Sequence, residues 1–321
     1  MADAESMATN VDYDVHFRKQ QKQSKTSEKN QTKTKSLPIP QEKKFVKKVV
    51  IVTESTEGIG FSIAERLAKE GADVVITSCK KETITRAVER LEAQDFNVFG
   101  VFCNVCDTQQ RKELIRSTVE QYGKIDVIIS NTAVNLCTNT MMRTAEPFLD
   151  KLWENNFKDH LLLLKDAEPH LKERSSIVFV STVAPDPQNT LMGVYDTTKA
   201  VVIGLTEALA KEFKNKPPYI RVNSVISGFG EKEHVIAGFK QKEEEKEQAS
   251  GLTKLFSVSH PFIPISSVKL RNKPTQKKQT KSPDVGSSTD VAERTLFLAS
   301  DDARNISGET HVLPGWITSR F

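Results

Sequence analysis

Tyr195 and Lys199 stand four residues apart in Tyr195-Asp196-Thr197-Thr198-Lys199. On a helix that spacing places a phenol and an ammonium one above the other on one face. A lysine held near a tyrosine favours the phenolate and lowers the phenol pKa from its usual value of about 10. A tyrosine tuned in this way exchanges a proton with an alcohol or carbonyl oxygen near neutral pH. The same pair also occurs on ordinary solvated helix faces, so its meaning depends on the elements that must position it.

Those elements begin at Val49-Val50-Ile51-Val52, a β-branched apolar run that reads as a buried strand. Thr53-Glu54-Ser55-Thr56-Glu57-Gly58-Ile59-Gly60 follows at once, and residues 61–70 then place apolar side chains at helical spacing, with Gly71 at the helix end. A second strand runs through 72–77. Strand, glycine turn, helix, strand is the phosphate-binding half of a doubly wound sheet. Gly58 and Gly60 would let backbone N–H groups approach a diphosphate at a helix N-terminus, although glycines also serve simply to make a tight turn. Further strands are expected at 97–102, 125–129, 176–180 and 220–225, and helices at 83–92, 109–122, 147–171, 194–214 and 289–298. Strands alternating with helices predict an α/β fold with a parallel sheet and helices on both faces.

The loop at 53–60 resembles the TGxxxGxG segment of the short-chain dehydrogenase/reductase family, and Tyr195 with Lys199 resembles its YxxxK. The likeness runs from about residue 44 to 315. The segments 55–61, 130–135 and 193–195 and the terminal Thr318-Ser319-Arg320 are similar to an animal branch of NADP-dependent carbonyl and retinal reductases. This resemblance implies a single Rossmann-type domain with a seven-stranded parallel sheet, a small-molecule carbonyl or alcohol as substrate, and a homo-oligomer, dimer or tetramer. It places Asn131 in the motif that braces the central strand, with Ser130, Thr132 and Ala133 around it. Asn156 takes the place of the asparagine that holds a proton-relay water, and Thr182, with Ser181 beside it, that of the substrate-binding hydroxyl. Threonine keeps the hydroxyl on a stiffer side chain. An Asn156–Thr182–Tyr195–Lys199 tetrad is therefore expected. The implied reaction gives a hydride from nicotinamide to a carbonyl carbon and a proton from Tyr195 to its oxygen.

The same likeness predicts a dinucleotide bound by Thr53, Ser55, Thr56, Gly58, Ile59, Gly60, Ser78, Lys80, Lys81, Asn104, Val105, Asn131, Tyr195, Lys199 and Gly228. An enzyme preferring NAD carries a carboxylate at the end of the second strand to bind the ribose hydroxyls. Here Ser78, Cys79, Lys80 and Lys81 stand there instead, so NADP(H) is the expected cofactor. Cys79 replaces the usual arginine of the branch and Asn104 the usual adenine-binding aspartate. Other departures oppose cofactor binding. Glu54 stands at the first loop glycine, Ser227-Gly228 replaces Pro-Gly, and Lys232 falls where a threonine should hold the carboxamide. A carboxylate about 4 Å from a phosphate costs roughly 4 kcal/mol at an effective dielectric near 20. A fold retained as a protein-binding or oligomerisation module with feeble turnover is the alternative expectation.

The chain has 321 residues, a net charge of +4 and 37% hydrophobic residues, enough for one full core with polar additions. Residues 1–43 read as a disordered basic tail, either simply solvated or an arm for RNA, an acidic protein or an anionic membrane. Aromatic residues that would stack on bases are absent among its lysines. Residues 44–321 form the expected domain, with an irregular basic insertion at about 250–282. Phe239, Leu252, Leu255, Phe256 and Phe262 fit either a substrate pocket or local packing. Cys103 and Cys106 form a CxxC, but no second ligand pair stands at zinc spacing, so no metal is expected and reduced thiols are. No apolar run is long enough to span a bilayer. The cytoplasm or nucleus is the expected location, since Ser319-Arg320-Phe321 resembles a peroxisomal tripeptide with its final leucine replaced.

Overall fold

In the computed structural model, residues 43–132, 140–182, 193–215, 217–227 and 287–313 are described. They belong to a compact unit that begins at Lys43. The tail at 1–42, the insertion at 250–282, Gly228, Lys232, the five candidate pocket residues from Phe239 to Phe262, and the C-terminal tripeptide lie outside them.

Strands β1 (Val49–Val52), β2 (Asp73–Ser78), β3 (Val98–Phe102), β4 (Ile125–Ser130), β5 (Leu171–Thr182), β6 (Arg221–Ser227) and β7 (Thr310–Leu313) form one sheet in the order β3-β2-β1-β4-β5-β6-β7. Every pairing is parallel. Side chains alternate across it, as the two-residue period of a strand requires. Val50 and Val52 join one core with Phe61, Leu67, Val291 and Leu296, while Ile51 joins the other with Leu114, Leu163, Val202 and Leu205. These partners lie on helices α1 (Gly58–Lys69), α3 (Thr108–Tyr122), α5 (Asp159–Ala167), α6 (Gly193–Lys214) and α7 (Ser288–Ala299), so both faces are covered. Helices α2 (Lys81–Glu92) and α4 (Glu146–Trp153) complete the described set. Gly71, at φ 87, ends α1 in the left-handed conformation that glycine adopts without steric cost.

The strand order reverses between β1 and β4. That switch point opens a crevice at the carboxyl ends of the strands, the usual ligand position in doubly wound sheets.

Three sequence expectations are corrected. The helix expected over 147–171 is α4, then a π-helical turn at Glu154–Lys158, then α5, with Leu171 already in β5. The Asp159 N–H bonds the Glu154 carbonyl, an i→i+5 closure that buries Asn155 and Asn156. Such turns insert one residue and re-aim a helix face. Pro169 sits in the following 3₁₀ turn, where the helix gives way. The strand at 176–180 runs from Leu171 to Thr182; Lys172–Arg174 are exposed where the register against β4 shifts, so their polarity resembles a loop. Finally, β7 carries only intermediate burial, too weak an apolar signal to separate it from a loop.

Candidate functional site

Helix α6 crosses the carboxyl end of β5 and brings Tyr195 to Thr182, with 2.8 Å between the Thr182 Oγ1 and the Tyr195 hydroxyl. The neighbouring Ser181 turns the other way, donating weakly to the Lys199 carbonyl at 3.4 Å. The geometry therefore brings Thr182, not Ser181, to the phenol. One turn along, Lys199 is buried at 2% exposure, and its Nζ donates to the Thr132 carbonyl at the end of β4, at 3.4 Å. Asn156, on the π-helical turn, donates from Nδ2 to Thr198 Oγ1 at 3.0 Å, and Thr198 donates to the Tyr195 carbonyl at 2.7 Å. The π-turn is thus what ties Asn156 to the helix that carries Tyr195 and Lys199.

Electrostatics within this cluster differ from the simple tyrosine–lysine expectation. Burial pushes the Tyr195 phenol above its ordinary value, the hydrogen bond from Thr182 opposes that rise, and the nearby Asp196 and Glu54 carboxylates add to it. Burial pulls the Lys199 ammonium down to about 8, with Glu54 acting in the opposite direction. The tyrosine is therefore not depressed in the protein alone, because burial, with the Asp196 and Glu54 carboxylates, outweighs the Thr182 hydrogen bond.

The loop after β1 is held mainly through its backbone. Thr53 Oγ1 accepts from the Asn131 N–H and from Thr132 Oγ1, both at 2.9 Å, which ties β1 to β4. Ser55 is buried, with its N–H on the Thr77 carbonyl at 3.0 Å and its Oγ on the Val52 carbonyl at 2.6 Å. Its side chain braces the loop and does not project into the crevice. Asn131 donates from Nδ2 to the carbonyls of Glu54 at 3.2 Å and Thr53 at 3.4 Å. Gly58 has φ 60, and a Cβ on Gly60 would fall 2.2 Å from the Glu54 carbonyl and 2.7 Å from Asn131 Nδ2. Glu57 precedes α1 with no side-chain cap, so the first-turn N–H groups of that helix face outward. This cradle fits a phosphate. Glu54 itself has φ 48, in the region that normally favours glycine, and its side chain is exposed.

On the adenosine side, a chain of hydroxyls links Thr56 to Thr83 at 3.2 Å and Thr83 to Ser78 at 3.1 Å. Lys80 is exposed at the start of α2, and Lys81 Nζ lies 5.5 Å from the Phe102 ring centre. Asn104 Oδ1 accepts from the Cys106 N–H at 3.2 Å, so its acceptor closes a turn, while Val105 is buried and Ile59 partly so.

Residues 48–243 match the family model of short chain dehydrogenases. The protein is a member of the short-chain dehydrogenase/reductase family. It is 43% identical to tropinone reductase-like 3 of Erythroxylum coca over 279 residues, covering 87% of this chain and 96% of that relative. It is 32% identical to human dehydrogenase/reductase SDR family member 2, mitochondrial, covering 84% and 86%. A Burkholderia cenocepacia short chain dehydrogenase solved in complex with NADP shares the fold at TM-score 0.63 and 21% identity, covering 85% and 98%. Membership of this oxidoreductase family, and likeness to the animal branch that holds dehydrogenase/reductase SDR family member 2, agree with the sequence reading; the plant relative matches more closely than the human one.

One neighbour of this dehydrogenase/reductase site, His160, had no signal in the sequence. His160 lies one turn beyond Asn156, buried at 1% exposure, with its Nδ1 2.6 Å from Ser130 Oγ. Burial, and then the Lys199 charge, pull it down to about 3, so it stays neutral. Cys106 donates its thiol to Asn155 Oδ1 at 2.8 Å. Burial pushes both the Cys103 and Cys106 thiols up to about 12, which keeps them protonated and unreactive. Among the described residues no group of three His, Cys, Asp or Glu side chains is placed to hold a metal, and no helix is long and apolar enough to cross a membrane.

Proposed function

We propose that this protein is an NADP-dependent carbonyl reductase. The observation that carries this reading is the 2.8 Å contact between Thr182 and the Tyr195 hydroxyl, one helical turn before the buried Lys199. When bound, the nicotinamide supplies the hydride. Tyr195 donates its proton to the carbonyl oxygen, which becomes the alcohol, and Thr182 orients that oxygen by hydrogen bonding. With its pKa held above the ordinary range, the phenol keeps its proton at neutral pH, the state that reduction needs. Asn156 and Lys199 form the route by which a proton returns to the phenol, and Lys199 would also hold the ribose.

Residues Thr53–Gly60 would hold the diphosphate, through backbone N–H groups at the start of α1. Lys80 and Lys81 support a 2′-phosphate, because Ser78 brings no carboxylate to the adenosine ribose. Asn104, Val105 and Asn131 would line the adenine and nicotinamide sides, and Gly228 would follow β6. The solved relative bound to NADP supports the same assignment. A homo-oligomer is supported by Phe148, Leu149 and Trp153, three large apolar side chains exposed along α4 and available to a second copy.

Titration of the full chain with NADPH and, in parallel, NADH tests the cofactor assignment. Micromolar NADPH binding with weaker NADH binding is expected, followed by NADPH oxidation in a screen of ketones and aldehydes. One observation favours the binding-module alternative: the Glu54 carboxylate lies in the diphosphate loop. Absence of any binding at millimolar dinucleotide would select that alternative.

A further inference from the structure

The geometry points to His160 as a positioning residue of the proposed reaction: through Ser130 it fixes the end of β4 that seats Lys199 beside Tyr195. This deepens the reductase reading above and rests on it. His160 is buried at 1% exposure on α5. Its Nδ1 lies 2.6 Å from the equally buried Ser130 Oγ, and its ring packs edge-on against Phe179 with 5.4 Å between centres. Ser130 and Phe179 are register partners in the sheet, so one imidazole touches β4 and β5 at the same level. Ser130 is the last residue of β4, and the two residues beyond it do the seating. The Asn131 N–H and Thr132 Oγ1 both reach Thr53 Oγ1 at 2.9 Å, and the Thr132 carbonyl receives Lys199 Nζ at 3.4 Å.

The same stretch of chain holds the other side of the cluster. Asn156, four residues before His160, donates to Thr198 at 3.0 Å, next to Lys199 in the chain. The π-helical turn at Glu154–Lys158 thus delivers one side chain to α6 and, four positions on, another to β4. Turns of this kind are frequent at functional sites. Core filling alone does not account for an imidazole here. Among the described residues its Nε2 has no hydrogen-bond partner, although it is buried. A buried polar atom without a partner is costly, and an apolar side chain would fill the space without that cost. What the imidazole adds is the bond to Ser130. Burial, and then the Lys199 charge, pull its pKa down to about 3, so it stays neutral and brings no second positive charge near the ammonium.

The test compares full-length wild type with His160→Leu, His160→Asn, Ser130→Ala and the double variant His160→Leu, Ser130→Ala. Leucine fills the space without the hydrogen bond, whereas asparagine can offer Ser130 an amide in place of Nδ1. With NADPH and a carbonyl that wild type reduces, His160→Leu and Ser130→Ala should each lose about tenfold in kcat, with KM changed less. The double variant should be no worse than either single one, and His160→Asn should recover most of the loss. Hydrogen exchange supplies a readout that needs no turnover. In His160→Leu and Ser130→Ala the Asn131 amide should exchange about tenfold faster, while the middle of β4 and of β5 keeps wild-type protection. Loss of protection throughout the sheet with wild-type kcat would make His160 core packing only, and would overturn the inference while leaving the reductase reading standing. Additive losses in the double variant, or a harmless Ser130→Ala beside a harmful His160→Leu, would overturn it too, because the effect would not pass through Ser130. Should His160→Leu fail to fold, Ser130→Ala decides alone, and unchanged kcat and exchange in it overturn the inference. If wild type binds neither NADPH nor NADH, the reductase reading falls, and this inference with it.

Discussion

The Thr182–Tyr195–Lys199–Asn156 cluster, proposed to transfer the proton, and the loop after β1 are the two halves of one crevice, and they are held in opposite ways. Thr182, Tyr195, Lys199 and Asn156 take their places through their own side chains: a hydroxyl to a phenol, an ammonium to a carbonyl, an amide to Thr198. Residues 53–60 take theirs through backbone and through what is missing, with Gly58 at φ 60 and Gly60 bare against Glu54. The difference teaches where substitution is tolerated. A position that works through a phenol or an ammonium admits few replacements. A position that works through its N–H accepts almost any side chain that leaves the chain path intact, and at Glu54 it has accepted a charged residue on a left-handed backbone. Family resemblance is therefore a better guide to the first half than to the second.

The largest effect expected from breaking this division is at the phenol. Tyr195→Phe removes the proton donor while keeping the ring, and kcat should fall by about 10³-fold, within the range that positioned proton transfer contributes. Dinucleotide affinity should stay within about twofold, because the loop half does not use the hydroxyl. Stopped-flow NADPH oxidation with a parallel binding titration reads both, and comparable turnover in the variant would remove Tyr195 from the chemistry. Next is Gly60→Ala. Its Cβ would meet the Glu54 carbonyl at 2.2 Å, with backbone on both sides of the contact. A stability loss of about 3 kcal/mol is expected, seen as a lower denaturant midpoint, together with weakened dinucleotide binding. A fully stable variant would show that the loop yields, and that the backbone half is less rigid than described.

The same division explains what was readable in advance. Six of the seven strands announce themselves, most plainly as β-branched runs such as Val49–Val52, because a strand covered on both faces is largely apolar. β7 is only partly buried and gives no such run. Tyr195, Lys199, Thr182 and Asn156 are legible because their spacing and residue types carry the likeness, and the structure brings them to one crevice. The π-turn that places Asn156 is not legible, since a one-residue insertion leaves the helical pattern on either side intact. Neither is the rise in the Tyr195 pKa, which depends on how deeply α6 packs, nor the positive φ of Glu54, which no glutamate advertises. Ser55 was readable as a loop residue, but the direction of its hydroxyl was not.

Lys199→Met separates stability from function within the first half. In the folded protein the ammonium titrates at about 8, against an ordinary 10.5. Between those values the unfolded chain binds more protons, so wild-type stability should rise with pH from about 8 to 10.5, and the full penalty is present below 8. That shift corresponds to ~3 kcal/mol, less ~1 kcal/mol for the lost bond to Thr132. Methionine should therefore stabilise the protein by about 2 kcal/mol at neutral pH and flatten the alkaline rise, while abolishing turnover. Urea unfolding at several pH values measures this, and a destabilised variant with the same pH slope would show that Lys199 keeps its proton at little cost.

The smallest effect sharpens the comparison on the proposed adenosine side, where the binding assigned to Lys80 and Lys81 again rests on side chains. Lys80 is exposed at the start of α2, whereas Lys81 lies over the Phe102 ring. An ammonium already attracted to a ring gives up part of that contact when it turns to a phosphate. Lys80→Ala should therefore weaken NADPH more than Lys81→Ala does, with the double variant losing about tenfold at low salt and less at high salt. NADH carries no 2′-phosphate and should bind all of them equally. The ratio of NADPH to NADH affinity, taken across the four proteins, isolates this contribution from anything the diphosphate loop does. If both cofactors weakened together, the lysines would be serving the general field of the crevice, and the preference for a 2′-phosphate would have to come from another residue.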